Sequence, residues 1–398
     1  MEREPTRMPA RKDRVSPFKV VGETGLQRTG GYIVEDPVTD LHGQSGAKAY
    51  RAMADNSAEV GASLNAMELV IRLVKWRVEP AEENNKKATE YAEIVDGMIH
   101  DMAQPWADFV AEVVLGMCVY GYEPREKTYK YRRGWNDDIR LRSAYNDGLV
   151  AWSDLPSRSQ LSVVEWEFDE ETGFVTGLVQ QPPPRYRRIQ IPVDRLAIFR
   201  TGSARGNPEG RSILRRAYFS WWFLKHLTEI EGIGIERDLT GYPVARVPAQ
   251  ALSPSATTDQ TAVVTRVRKI VENLRRDEQE GAVFPIAYDE AGHELFDLKL
   301  LSSPGAKQID IDKAISRHRV NIMMCLMTDW MLLGHEKSGS WSLSSDKTGM
   351  FALALAGHLG NFRDTFNAHA IPDIGRLNGW DMSILPKVAH GDIESRDV

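Results

Sequence analysis

Cysteine is almost missing from this chain: Cys118 and Cys325 are the only two in 398 residues, and each sits in an apolar stretch. That permits one bridge at most, and the reading it favours is two reduced core thiols in a protein made in a reducing compartment. No Cys/His set has zinc spacing, and no cofactor motif is present. Long apolar runs are missing too. The best, Ile322–Met327, stops at Thr328 and Asp329, far short of the roughly 18–20 residues a membrane helix needs. Arg3, Arg7, Arg11, Lys12 and Arg14 have no apolar stretch behind them, so a secretory signal is not expected. Charge of one sign is not in excess either. Fifty Lys/Arg against fifty-six Asp/Glu leave −6, which excludes a basic nucleic-acid clamp over the whole chain.

Catalytic signatures are also lacking. G-x-x-x-x-G-K-[ST], H-E-x-x-H, G-x-S-x-G and a helix-opening G-x-G-x-x-G do not occur. Gly334-His335-Glu336-Lys337-Ser338 lacks the glycine before its lysine and follows a helix rather than a strand, so it is not read as a phosphate loop. His335 and Glu336 are adjacent and would not face each other on a helix. Asp310 and Asp312 could be enlisted as metal ligands of a nuclease, but acids opening a helix are commonly placed there by its dipole.

What is present is core material. The chain is 42% hydrophobic with ten Trp, and its length corresponds to about two to three structural units. An arm expected to be mobile runs to about residue 45. A helix is expected over 47–74, with Leu64, Met67, Ile71 and Val74 on one face, then helices over 85–102 and 106–118. The period next changes: 120–132, 161–181 and 189–199 read as strands, with a hairpin turn at Glu171-Thr172-Gly173. A long helix is expected over 209–239 and another over 310–332. Between them lie a strand at 242–247, a helix at 255–279 and a short β segment at 283–301. A Gly/Ser-rich loop, 334–345, precedes a helix over 346–369 that Pro372 ends. The class is α+β, with two long helices bracketing a small α/β insert.

Charge is patterned locally. Seven arginines (185, 187, 188, 195, 200, 205, 211) share 185–211 with only Asp194 and Glu209. A DNA-facing strip is one reading; a solvated hairpin edge, or pairing with a neighbouring subunit's acids, is the preferred one. In the insert helix, Arg266, Arg268, Lys269, Arg275 and Arg276 point several ways and form no single groove-reading face. The two long helices are nearly neutral, which suits surfaces that meet nucleic acid without gripping it, or that pair with copies of themselves. Trp221, Trp222 and Phe223 are consecutive, so steps of about 100° place them on different sides of a helix. They fill either the chain's own core or a subunit boundary.

Four segments, in order and with matching spacing, resemble tailed-bacteriophage portal proteins, nearest those of Mu-like phages. They are Val74-Lys75-Trp76-Arg77-Val78-Glu79-Pro80; Val119-Tyr120-Gly121-Tyr122 with Glu126; Ile191–Arg200 running into Asn207–Tyr218; and Trp221–Lys225 followed by Glu236 and Gly241-Tyr242-Pro243. The resemblance covers about residues 45–370.

It implies a homo-oligomeric ring, usually of twelve subunits, at one capsid vertex, with no catalysis of its own. The ring would be the channel for DNA packaging and ejection. Its partners would be the major capsid protein, the terminase large subunit (which supplies ATP hydrolysis), head–tail connector proteins and non-specifically passing double-stranded DNA. It would be made in the host cytoplasm and end in the virion. By position, 46–208 would be wing, 209–238 and 305–333 stem helices, 239–304 clip, 334–345 tunnel loop and 346–371 the helix behind it. Residues 372–398 would be a C-terminal tail or minimal crown, too short for a full helical crown. Lys337, Trp341 and Lys347 would lie near DNA. Arg215, Arg216, Trp221, Trp222, Lys225, Lys313, Arg317 and Arg319 would serve the stem and its subunit contacts, and the five insert-helix cations would dock terminase or connector. Rival readings are another head–tail component, such as a head-closure or minor capsid protein, or a metal-dependent nuclease.

Overall fold

The computed structural model describes residues 22–202, 205–240, 242–272, 297–301, 311–332 and 341–393. It divides into two compact units, one of residues 1–219 and 320–398, the other of residues 220–319.

The first unit opens with two-residue strands β1 (Arg28–Thr29) and β2 (Tyr32–Ile33), turned by Gly30 and Gly31 at positive φ. Ile33 is buried and Asp36 is ion-paired to Arg215, so this part of the expected mobile arm is packed. Helices α1 (Gly43–Asn56) and α2 (Ala58–Leu73) replace the single helix expected over 47–74. Ser57 is extended and its Oγ accepts from the Val60 N–H. Serine competes poorly mid-helix but caps well, and that preference splits the run.

Strand β3 (Trp76–Glu79) leads to α3 (Lys86–His100), capped by the Asn85 side chain, and α4 (Trp106–Tyr120). Buried residues fall on every side of α4, so it is the central helix. Seven strands follow: β4 (Tyr122–Glu126), β5 (Thr128–Tyr131), β6 (Val150–Asp154), β7 (Val163–Phe168), β8 (Val175–Gln180), β9 (Ile189–Pro192) and β10 (Leu196–Arg200). All pair antiparallel, β4 with β10, β5 with β6, and β7-β8-β9 as a meander.

The buried charges of β4, β5 and the residues beside them each find a counter-ion. Arg125 meets Glu123, Lys127 meets Asp373, Lys130 meets Asp101 and Arg132 meets Asp147. A buried charge left single would be far more costly.

Helix α5 (Tyr218–Thr240) carries the chain into the second unit. It starts later than the expected 209, because 207–212 form a turn and Ile213–Arg216 a 3-10 segment. The second unit continues with β11 (Tyr242–Arg246), α6 (Thr258–Glu272) and β12 (Asp297–Leu301); β11 and β12 pair antiparallel. The end expected for the insert helix and most of the expected 283–301 segment lie outside the described residues. Helix α7 (Ile311–Cys325) returns the chain to the first unit. It stops before the expected 332, at a turn where Met327 has φ +58°, and Asp329–Leu332 form a 3-10 segment.

Helix α8 (Trp341–His369) begins five residues before the expected 346, so 341–345 are helical rather than loop. Helix α9 (Ile371–Leu377) has Pro372 in its first turn, and β13 (Lys387–His390) pairs antiparallel with β3, Val388 opposite Val78. Val388 is fully buried. Residues expected as a tail or minimal crown therefore complete the core through 390.

The core is aromatic. Phe362 of α8 stacks on Phe199 of β10 with centroids 5.1 Å apart, and Phe366 lies 5.2 Å from Trp152. Trp76, Trp106 and Phe109 meet Phe362 edge-on. Offset and edge-to-face pairs of this kind add to the area they bury. Both cysteines are free.

Candidate assembly and channel surfaces

Two of the sequence segments singled out above cross each other where the chain enters α5. Gly121 (φ +93°) ends α4, and Gly210 (φ +61°) lies in the 207–212 turn. A Cβ on Gly121 would sit 2.6 Å from the Glu209 carbonyl oxygen, and one on Gly210 would sit 2.3 Å from the Gly121 oxygen. Only glycine allows both the left-handed backbone and that approach. Thr201 N–H donates to the Gly121 oxygen (3.0 Å) and Ser212 Oγ to the Val119 oxygen (2.5 Å).

Beside this crossing, Trp166 Nε1 donates to Glu209 Oε1 at 3.1 Å. Burial raises the Glu209 carboxyl to about 7, against the opposing pull of Trp166 and His42. A raised acid favours the fold below its unfolded value near 4.5, and that advantage is lost as pH rises through 7. Glu209→Gln is therefore expected to gain about 1–2 kcal/mol over wild type between pH 5 and 8. Urea unfolding at those two pH values measures it; equal pH slopes for the two proteins would refute the assignment.

Along α5, Phe219, Phe223, His226, Ile230 and Ile233 recur at alternating steps of four and three, a single helical stripe. Trp222 (41%), Phe223 (47%), Ile230 (56%) and Ile233 (49%) remain exposed. The Trp222 and His226 rings stack with centroids 4.0 Å apart, and Phe223 lies parallel to His318 of α7 at 5.6 Å. Sequence reading drew attention to the three consecutive aromatics and missed the longer stripe, although its spacing was there to be counted. Of those three, Trp221 is half-buried and Trp222 and Phe223 are exposed.

The expected cations separate into different situations. Arg215 is committed to Asp36, with Nη2–Oδ1 at 2.9 Å, and so braces the N-terminal segment rather than lying free at a subunit boundary. Arg216, Lys225, Lys313, Arg317 and Arg319 are exposed. Arg266, Arg268 and Lys269 are all exposed around the buried Val267, while Arg275 and Arg276 lie outside the described residues. So does Lys337. Trp341 is the first residue of α8, not a loop residue. Lys347 Nζ lies 2.5 Å from Asp329 Oδ2. That pairing ties the start of α8 to the segment after α7, instead of leaving the ammonium free for phosphate.

A cavity of about 310 Å³ in the first unit is lined by Met67, Arg211, Arg216, Cys325, Met327 and His358, among others. Burial pushes the Cys325 thiol up and the His358 imidazole down, the reverse of an activated thiolate–imidazolium pair. Among the described residues, no group of three His, Cys, Asp or Glu is placed to hold a metal ion. Asp310 lies outside the described residues, and Asp312 is exposed in the first turn of α7. No helix among the described residues is long and apolar enough to cross a membrane.

The fold is shared with chains of gene-transfer-agent particles. One is from the virion of a native particle, at 9% identity and TM-score 0.52, covering 87% of this chain and 83% of that one. Another is from the neck of an empty particle computed with C6 symmetry, at 8% identity and TM-score 0.52, covering 86% and 84%. A third is from the neck of a native particle computed with C12 symmetry, at 9% identity and TM-score 0.51, covering 86% and 84%. The sequence matches none of the curated proteins. Residues 47–398 match the family described as the portal protein of Mu bacteriophage. That span holds all four segments, the Gly121–Gly210 crossing and the aromatic core around Phe362, and the chain belongs to this portal family.

Proposed function

We propose that this protein forms a closed ring, of about twelve copies as the resemblance implies, at one vertex of a phage capsid. The ring is the channel for DNA entering during packaging and leaving during ejection. It docks the terminase and afterwards the head–tail connector proteins, and the major capsid protein surrounds it. Residues 46–217 and 341–371 act as wing, 218–238 and 305–333 as stem, 239–304 as clip and 334–340 as tunnel loop, with Lys337 its DNA-proximal cation.

The observation that carries this reading is the exposed stripe on α5. A largely apolar row with Trp222 beside it is a poor surface to leave in water and a good one to set against another subunit. The particle necks that share the fold were computed with six-fold and twelve-fold symmetry, which supports the closed arrangement. A ring needs a heterologous interface whose rotation closes.

End-on class averages of the purified protein test the proposal, with a central hole and about twelve subunits expected. Ile230→Asp with Ile233→Asp is expected to abolish the ring. Both side chains are already about half in water, so stability should change by only about 0.5 kcal/mol. A folded variant that still forms rings would remove the stripe from the interface, and a wild-type monomer with turnover of its own would refute the proposal.

A further inference from the structure

The β7-β8-β9 meander has two chemically opposite ends. The turn between β7 and β8 exposes Glu170, Glu171 and Phe174. The turn between β8 and β9 exposes Arg185, Tyr186 and Arg187. Each end therefore presents two like charges and one large aromatic ring; Phe174 is 64% and Tyr186 63% exposed. None of the four charged side chains has an ion-pair partner among the described residues, whereas Arg188 is paired with Glu165 and Arg195 with Glu126.

Both turns are held in shape before anything binds. Asp169 Oδ1 accepts from the N–H groups of Glu171 (3.1 Å) and Thr172 (2.7 Å), fixing the acidic turn. In the basic turn, the Tyr186 N–H donates to the Pro182 oxygen (2.9 Å) and Gln181 Nε2 to the Tyr186 oxygen (2.8 Å). Tyr186 is kept there at φ +48°, a left-handed conformation that non-glycine residues seldom adopt.

We propose that these ends bind each other between neighbouring copies: the Arg185–Tyr186–Arg187 turn of one subunit docks on the Glu170–Glu171–Phe174 turn of the next. Within one chain they cannot meet. They lie at opposite ends of the six-residue strand β8, a span of about 20 Å at ~3.3 Å per residue, beyond the Debye length of about 8 Å at physiological salt. A two-fold dimer through either end alone sets like charge against like. Head-to-tail contact satisfies both, and a repeated head-to-tail contact generates a ring when its rotation closes. Arginine and aromatic residues are the side chains enriched at protein interfaces. Two free cations make a small footprint for duplex DNA, where each neutralised phosphate adds only about 0.9 to the salt slope. This contact rests on the ring reading and specifies one of its joints.

Charge exchange tests it. Arg185→Glu with Arg187→Glu turns two attractions per joint into two repulsions, as does Glu170→Arg with Glu171→Arg. Either half-exchange is expected to raise the protein concentration needed for half-assembly at 50 mM salt by about tenfold or more. The effect should shrink at 500 mM salt. Mixing the two half-exchanged proteins, or combining all four changes in one chain, should restore rings. Thermal melting at wild-type temperature confirms that each variant is folded. Wild-type rings with a half-exchange that assembles normally overturn the contact and leave the ring reading standing; so does a folded full exchange that fails to recover. A wild type that forms no ring overturns both. Rings unchanged by the arginine exchange but with weaker binding of a duplex oligonucleotide overturn the contact and assign the basic turn to nucleic acid.

Discussion

Gly121→Ala is expected to destabilise the first unit by about 2–5 kcal/mol, the sum of a left-handed non-glycine residue and a steric overlap that only backbone movement can relieve. The new methyl would meet three backbone atoms within 3.0 Å, at Glu209, Arg211 and Ser212. None of these is the far end of a flexible side chain. The turn they belong to leads through the 3-10 segment Ile213–Arg216 into α5, so assembly should weaken along with stability. Urea unfolding gives the first quantity and ring yield the second. Gly210→Ala should behave similarly, and the double change should cost less than the sum, because the two positions press on each other. Gly232→Ala is the control: it lies in the interior of α5 with nothing within 4 Å of the added methyl and should stabilise by about 0.5–1 kcal/mol. A Gly121→Ala protein as stable as wild type would mean that the crossing is not held tight.

Arg125→Met carries the other large expected loss, about 3–5 kcal/mol. Arg125 is 1% exposed and lies 2.9 Å from Glu123 and 3.0 Å from Glu112. Glu123 is buried with it, and Ser157 and Gln160 also donate to its carboxylate. Burial raises the Glu123 carboxyl, and the Arg125 guanidinium is the largest influence holding it down. Removing the arginine lets it rise further. A raised acid loses its favourable contribution as pH increases, so the variant's deficit should be smaller at pH 5 than at pH 8. Adding Glu123→Gln should recover most of the loss, since breaking a buried pair costs more than replacing both partners. Denaturant unfolding at the two pH values reads both effects; a deficit independent of pH would show that lost packing, not the stranded carboxylate, explains it.

Local patterns were legible wherever local physics dominates. The apolar face of α2, the existence of α3 and α4, the hairpin turn near Gly173 and the strand β11 follow from residues a few positions apart. Short-range preference also misled where two local options competed. Ser57 could continue a helix or cap one, and Met327 sits in an apolar run that reads as helix yet turns left-handed. Trp341–Ser345 resembled loop by composition but joined α8. The portal family was likewise legible in four segments whose order and spacing survive without the fold.

Composition and spacing by themselves determined the α+β class and the lack of a membrane-length apolar run, and four short segments carried the family resemblance, because each depends on neighbours along the chain. Only the tertiary structure decided which charges are free. It paired Arg215 with Asp36 and Lys347 with Asp329, buried Arg125 beside Glu123, drew β13 back onto β3 and left the Arg185 and Glu170 turns unanswered. Those outcomes depend on which distant segments are brought within about 4 Å, the range over which a charge finds its partner, and separation along a chain does not measure distance in space.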